Sequence, residues 1–160
     1  MKKIIPLSLI LLLLFSGCKI KNYTPEIPVT LEQNVKVTSG DFSYDCVICK
    51  TESAVSVTVD STAAKGLVMV YDGKALSFSF AGFSYEVDGS NFERKNPAIV
   101  IYEVFDYINS ASQLNARKID GGFKYEGKIS LGDFVLIQNE DNSFDSLTVK
   151  SADYKIQFIN

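Results

Sequence analysis

Apolar and polar side chains alternate along most of residues 41–160 of this 160-residue chain. Phe42, Tyr44, Cys46 and Ile48 fall on one side of that pattern, with Ser43, Asp45, Val47 and Cys49 on the other. Val55, Val57 and Val59 alternate with Ser56, Thr58 and Asp60, and Leu76, Phe78 and Phe80 with Ser77 and Ser79. Phe123 and Tyr125, then Tyr154, Ile156 and Phe158, continue it. Successive side chains of a strand point to opposite faces, so a period of two predicts strands with one buried and one wet face. Asp72-Gly73 reads as a two-residue hairpin turn, and Asp88-Gly89, Gly121-Gly122, Gly132-Asp133 and Asp141-Asn142 as further breaks. Beyond Val29 only Pro97 is a proline, as sheet interiors require.

One segment keeps a different period. Asn96 is a suitable N-cap, and Pro97 suits the first helical turn. Ile101, Val104, Phe105 and Ile108 follow at i, i+3, i+4 and i+7, an apolar stripe on one face of a helix over roughly Pro97–Gln113. Glu103, Asp106 and Asn109 lie off it. About four strands are expected on each side of this helix. The predicted fold class is mainly β (α+β), a single curved antiparallel sheet or half-barrel with one helix on its apolar face. One helix covers only part of such a face, so the remainder closes on itself or meets a ligand or partner.

The N-terminus reads differently. Lys2 and Lys3 precede an apolar run from Ile4 to Phe15, which ends in Phe15-Ser16-Gly17-Cys18. A run this short, with positive charge before it and small residues after it, reads as an export signal rather than a spanning helix. The ending resembles the lipobox of bacterial lipoproteins, with Phe15 where Leu is usual. The resemblance implies cleavage after residue 17 and lipidation of Cys18. Each buried CH₂ of an acyl chain contributes about 0.8 kcal/mol, and two chains suffice for stable anchoring. The expected organisation is a signal at 1–17, lipidated cysteine and tether at 18–33, and one β-rich domain at 34–160. Pro25 and Pro28 favour an extended tether. The alternation in Asn34–Val37 leaves open that Ile27–Val37 joins the sheet as an edge. The expected location is the outer side of a cell membrane; the kind of host envelope and the oligomeric state are not legible.

Without Lys2 and Lys3, 14 bases face 19 acids, a formal charge of −5. That balance gives no basic footprint for nucleic acid. With no histidine, Ser-His and Cys-His nucleophile activation is absent. The chain has no GxSxG, P-loop or dinucleotide-binding glycine motif. No catalytic residue, cofactor or metal ligand is therefore expected. Cys46 and Cys49 form a CxxC inside a strand pattern. Regular strand geometry sets their α-carbons about 10 Å apart, which favours separate thiols and leaves a disulfide open only through local distortion. Asp141, Ser143 and Asp145 have the spacing that opens a calcium loop. Ser146 and Ala152 stand where its glycine and closing carboxylate belong, so a polar turn is the expected reading.

An exported meander, the Tyr71-Asp72-Gly73 turn, a mid-chain helix and a terminal Ile156-Gln157-Phe158 strand together resemble the half-barrel lipoprotein carrier family, the LolA/LolB and LppX-like proteins. The likeness spans most of residues 41–160. It implies a concavity that holds acyl chains between sheet and helix. Of 11 Phe and 8 Tyr, many cluster between Phe78 and Phe123, either as an ordinary core or as the wall of an apolar groove. Phe78, Phe80, Ile101 and Phe105 are the candidate apolar ligand-binding residues. The expected function is membrane-anchored binding or carriage of a lipid or other apolar ligand. The alternative is a structural or protein-interaction lipoprotein with a filled core.

Overall fold

A computed structural model describes residues 27–111 and 114–159. The expected export signal, Cys18 and most of the expected tether lie outside the described residues. Six strands precede the helix: β1 (Leu31–Ser39), β2 (Phe42–Lys50), β3 (Val55–Val59), β4 (Val68–Tyr71), β5 (Ala75–Phe80) and β6 (Phe83–Asp88). The helix, α1, spans Pro97–Ser110. Five strands follow: β7 (Asn115–Ile119), β8 (Gly122–Ile129), β9 (Gly132–Asn139), β10 (Phe144–Val149) and β11 (Tyr154–Ile159).

All eleven strands form one antiparallel sheet in the order β6-β5-β4-β3-β2-β1-β11-β10-β9-β8-β7. The chain starts at the centre and meanders out to the β6 edge. It crosses by α1 to the β7 edge and meanders back until β11 pairs with β1, Val35 facing Phe158. The helix lies against β3, β4 and β8, in both halves of the sheet. The sheet must therefore curve around it, in an open form consistent with a half-barrel.

Six strands and five replace the expected four and four. β7 escaped notice because Asn115-Ala116-Arg117-Lys118-Ile119 is wet on both faces and hardly alternates. β9 runs Phe134-Val135-Leu136-Ile137, an almost continuous apolar stretch rather than an alternating one. β1 begins at Leu31, and its place between β2 and β11 makes it a central strand, not an edge. The turn after β4 lies one residue further on than Asp72-Gly73. The Asp72 N–H donates to Ala75 O (3.4 Å), with Gly73 and Lys74 at the tip. The Asp72 carboxylate accepts from the N–H groups of Lys74 and Ala75 at 2.9 and 2.7 Å.

The helix follows its sequence signals. Asn96 Oδ1 accepts from Ala98 N at 2.9 Å, capping the first turn, and Pro97 stands at its start. Ile101, Val104, Phe105 and Ile108 are all buried, and so is the whole first turn, Pro97–Val100. Below them lie Val55, Val57, Leu76, Leu136, Leu147 and Ile156 from the concave face. Complete burial of such a side chain contributes about 1.5–3 kcal/mol, and Ile101, Val104, Phe105 and Ile108 each bring that contribution to the helix–sheet contact. Gln138 is the most deeply buried polar side chain among the described residues. It is buried, accepts from Tyr125 Oη (3.2 Å) and donates to Asn142 O (3.0 Å).

Candidate functional site

The concave face is made by one register. Across β4, β5 and β6, Tyr71 faces Leu76 and Leu76 faces Val87, while Met69 faces Phe78 and Phe78 faces Tyr85. Beyond them Phe80 faces Phe83 at the hairpin tip. Directly paired residues share a face, so these side chains continue the surface on which α1 sits. Their environment changes along the strand. Leu76 is fully buried, and Phe78 is half-buried against Phe92, ring centroids 5.0 Å apart. Phe80 is 43% exposed, Tyr85 66% and Phe83 81%. The opposite face carries Ser77, Ser79, Ser84 and Glu86, with Ser77 Oγ donating to Glu86 at 3.1 Å. Among the described residues, apolar content persists out to the tip where burial does not.

Phe78, Phe80, Ile101 and Phe105 consequently do not line one space. Ile101 and Phe105 are sealed under α1 at 1% and 2% exposure, and the Phe105 ring lies 5.3 Å from that of Phe144. The cavity that Phe105 does reach, shared with Lys50, Val55, Tyr102 and Asn109, measures about 60 Å³. That admits a few waters, far below the 300–1,000 Å³ of a ligand pocket. Phe78 and Phe80 lie out on β5 with Phe83 and Tyr85. These last two were not among the expected site residues. Their signal was the alternation in Phe83-Ser84-Tyr85-Glu86-Val87 just after the Ala81-Gly82 break.

Lys50 was also missed. It continues the Cys46, Ile48 spacing, so β2 directs it inward, and it is buried. Its ammonium donates to Pro28 O, Val29 O and Thr51 O at 3.2, 3.0 and 3.2 Å. Burial pulls its pKa down, and nearby Glu52 acts the other way. Three carbonyls satisfy its three donors, and the bond set ties residues 28 and 29 to the β2–β3 turn.

The other motifs resolve structurally. Cys46 and Cys49 are free thiols on opposite faces of β2, one buried and one exposed. Burial raises the Cys46 thiol to about 12, with Asp45 and Asp60 adding to the effect. Asp141 closes its own turn, Oδ1 accepting from Ser143 N and Oγ at 2.9 and 2.6 Å. Among the described residues no cluster of acidic, Cys or His side chains could hold a metal ion. Among them, too, no helix is long and apolar enough to cross a membrane.

No family model matches the chain, and no curated protein matches it significantly. Three solved structures show a distant likeness. The structure of the CwlD amidase from Clostridioides difficile in complex with the GerS lipoprotein contains a chain 15% identical; the match covers 95% of this chain and 89% of that one, TM-score 0.47. An uncharacterized conserved protein from Thermus thermophilus is 7% identical over 87% and 78%, TM-score 0.45. The LolA superfamily protein NE2245 from Nitrosomonas europaea is 14% identical over 81% and 68%, TM-score 0.39. One neighbour thus comes from the superfamily that the sequence pattern resembles. Likeness at this level carries nothing about ligand or partner.

Proposed function

We propose that this chain is an exported, lipid-anchored, non-catalytic protein that binds an apolar ligand such as a lipid. The ligand lies on the stretch of concave face that α1 leaves uncovered. The observation that carries the reading is the aromatic group Phe80, Phe83 and Tyr85, exposed side by side on the face that is core elsewhere. A contiguous exposed apolar patch on a soluble domain marks a binding surface. The Phe15-Ser16-Gly17-Cys18 motif supports the anchor. Cys18→Ser is expected to abolish metabolic labelling with palmitate and to release the protein from membranes. A labelled, membrane-bound variant would refute lipidation at this residue.

The ligand is tested with a fluorescent fatty acid, cis-parinaric acid, added to the mature protein. Saturable binding should weaken at least about tenfold, or about 1.4 kcal/mol, in the double variant Phe80→Ser, Phe83→Ser with its circular dichroism intact. Equal binding by the variant would remove this stretch from the site. The close packing beneath Phe105 favours a second reading, a protein-interaction lipoprotein that uses the same aromatics on a partner and holds no ligand. Absence of both probe binding and co-purifying lipid would leave only that reading.

A further inference from the structure

A second cleft lies on the other side of α1, away from the sheet core. The turn after β4 and the turn between β8 and β9 flank the helix there. Between them Tyr71, Tyr102, Tyr107, Glu103, Asp106 and Lys128 line an open space of about 400 Å³. We infer that this cleft binds an uncharged, polyhydroxylated ligand, a carbohydrate.

The aromatic walls are held in place by the two halves of the sheet. A Cβ at Gly73 would come within 2.8 Å of Tyr102 Cζ, so only glycine there lets the ring lie against the turn. Gly73 also has φ +92°, a conformation that glycine adopts freely. Across the helix, a Cβ at Gly127 would meet the Tyr107 ring and Phe134 at 2.7 Å. Each ring is braced a second time edge-on, Tyr102 by Tyr71 (5.1 Å, 79°) and Tyr107 by Phe134 (5.4 Å, 85°). Ligand binding would order little that is not already ordered, which favours affinity.

The polar walls select the chemistry. Glu103 is fixed, accepting from Ser130 N at 2.9 Å and from Ser130 Oγ at 2.6 and 2.8 Å, with Arg94 Nη1 3.6 Å away. Asp106 and Lys128 are exposed and have no ion-pair partner among the described residues. The lining carries Glu103, Asp106 and Lys128, and Arg94 offsets Glu103 from outside it, so little net charge is left to favour an ion. Carboxylates, an ammonium and tyrosine hydroxyls suit an acyl chain poorly. Sugars present C–H faces to aromatic rings and hydroxyls to carboxylates and amines, which matches both walls.

Saturation-transfer NMR on the mature protein with two probes, triacetylchitotriose and maltotriose, tests this. Transfer to the C–H protons of at least one sugar is expected, with a Kd of about 1 mM or below. It should fall at least about fivefold in Tyr107→Ala and in Asp106→Asn, an exposed change that leaves the fold alone. It should persist in Phe83→Ser, which disables the apolar stretch instead and so separates failure here from failure of the proposed function. No transfer to either sugar, or transfer undiminished in both cleft variants, overturns the inference.

Discussion

The concave face has two parts built by one rule. α1 packs against β3, β4 and β8, and there Val55, Val57, Met69, Tyr125, Ile101, Val104 and Phe105 are all buried. On β5 and β6 the same alternation continues through Phe80, Phe83 and Tyr85, which among the described residues stay exposed. The strand pattern is the same in both places, and only the position of the helix differs. Identical patterning therefore yields packing in one place and an exposed aromatic stretch in the other. A period of two says which residues share a face, and burial depends on what lies over that face.

The sharpest way to break this comparison is Phe105→Ala. In a closed core it leaves a cavity and costs about 3–5 kcal/mol, a large share of a domain stability of about 5–15 kcal/mol. Urea unfolding measures it. A loss under about 1 kcal/mol, the range for exposed sites, would mean that the helix is not packed and that the covered half resembles the open one.

The two thiols sharpen the contrast between the faces. The Cys46 thiol is raised from 9.0 to about 12, chiefly by burial. That leaves it about a thousandfold less thiolate than an unperturbed cysteine at the same pH. Iodoacetamide on native protein at mildly alkaline pH should modify Cys49 first and Cys46 only as the domain unfolds. Mass mapping that finds Cys46 modified at the same rate would show the sheet open at β2. After denaturation without reductant, both should react.

At the exposed end, Phe83→Ser should change stability by no more than about 0.5 kcal/mol by the same urea measurement. A loss comparable to that at Phe105 would show that the β5–β6 aromatics are core after all.

The smallest effect is expected at Asp72, in the turn that leads from the covered β4 to the emerging β5. Amide donors from Ala75 and Lys74 hold its pKa below the usual carboxylate range. A lowered folded pKa gives stability that is full above the unfolded value, near 3.9, and lost as pH falls through the folded one. The stability gap between the wild type and Asp72→Ala should thus be constant above about pH 5 and narrow below about pH 4. A gap unchanged at pH 2–3 would show that the carboxylate's charge contributes nothing to the turn. The carboxylate is exposed and screened, so the gap is small.

Much of the fold was legible because its signals are local. Asn96-Pro97 and the stripe from Ile101 to Ile108 placed the helix within a turn of its observed end, since capping and periodicity act over a few residues. The alternating runs gave β2, β3, β5, β8 and β11. The strands β7 and β9 were hidden, the first because both its faces are wet and the second because both carry apolar residues. Of the four expected ligand residues, sequence grouped them correctly as apolar and inward, yet it could not separate Ile101 and Phe105 from Phe78 and Phe80.

By itself the sequence determined most of the strand faces and the helix, both properties of residue type and near-neighbour spacing. Only the tertiary structure decided which strands the helix covers. It also decided that β1 joins β11 at the centre of the sheet, that Lys50 turns inward to three carbonyls, and that Tyr102 lies over Gly73 and Tyr107 over Gly127. Those contacts join residues far apart in the chain, and no local period records them. They follow from where a 14-residue helix comes to rest when it must link the two edges of one curved sheet.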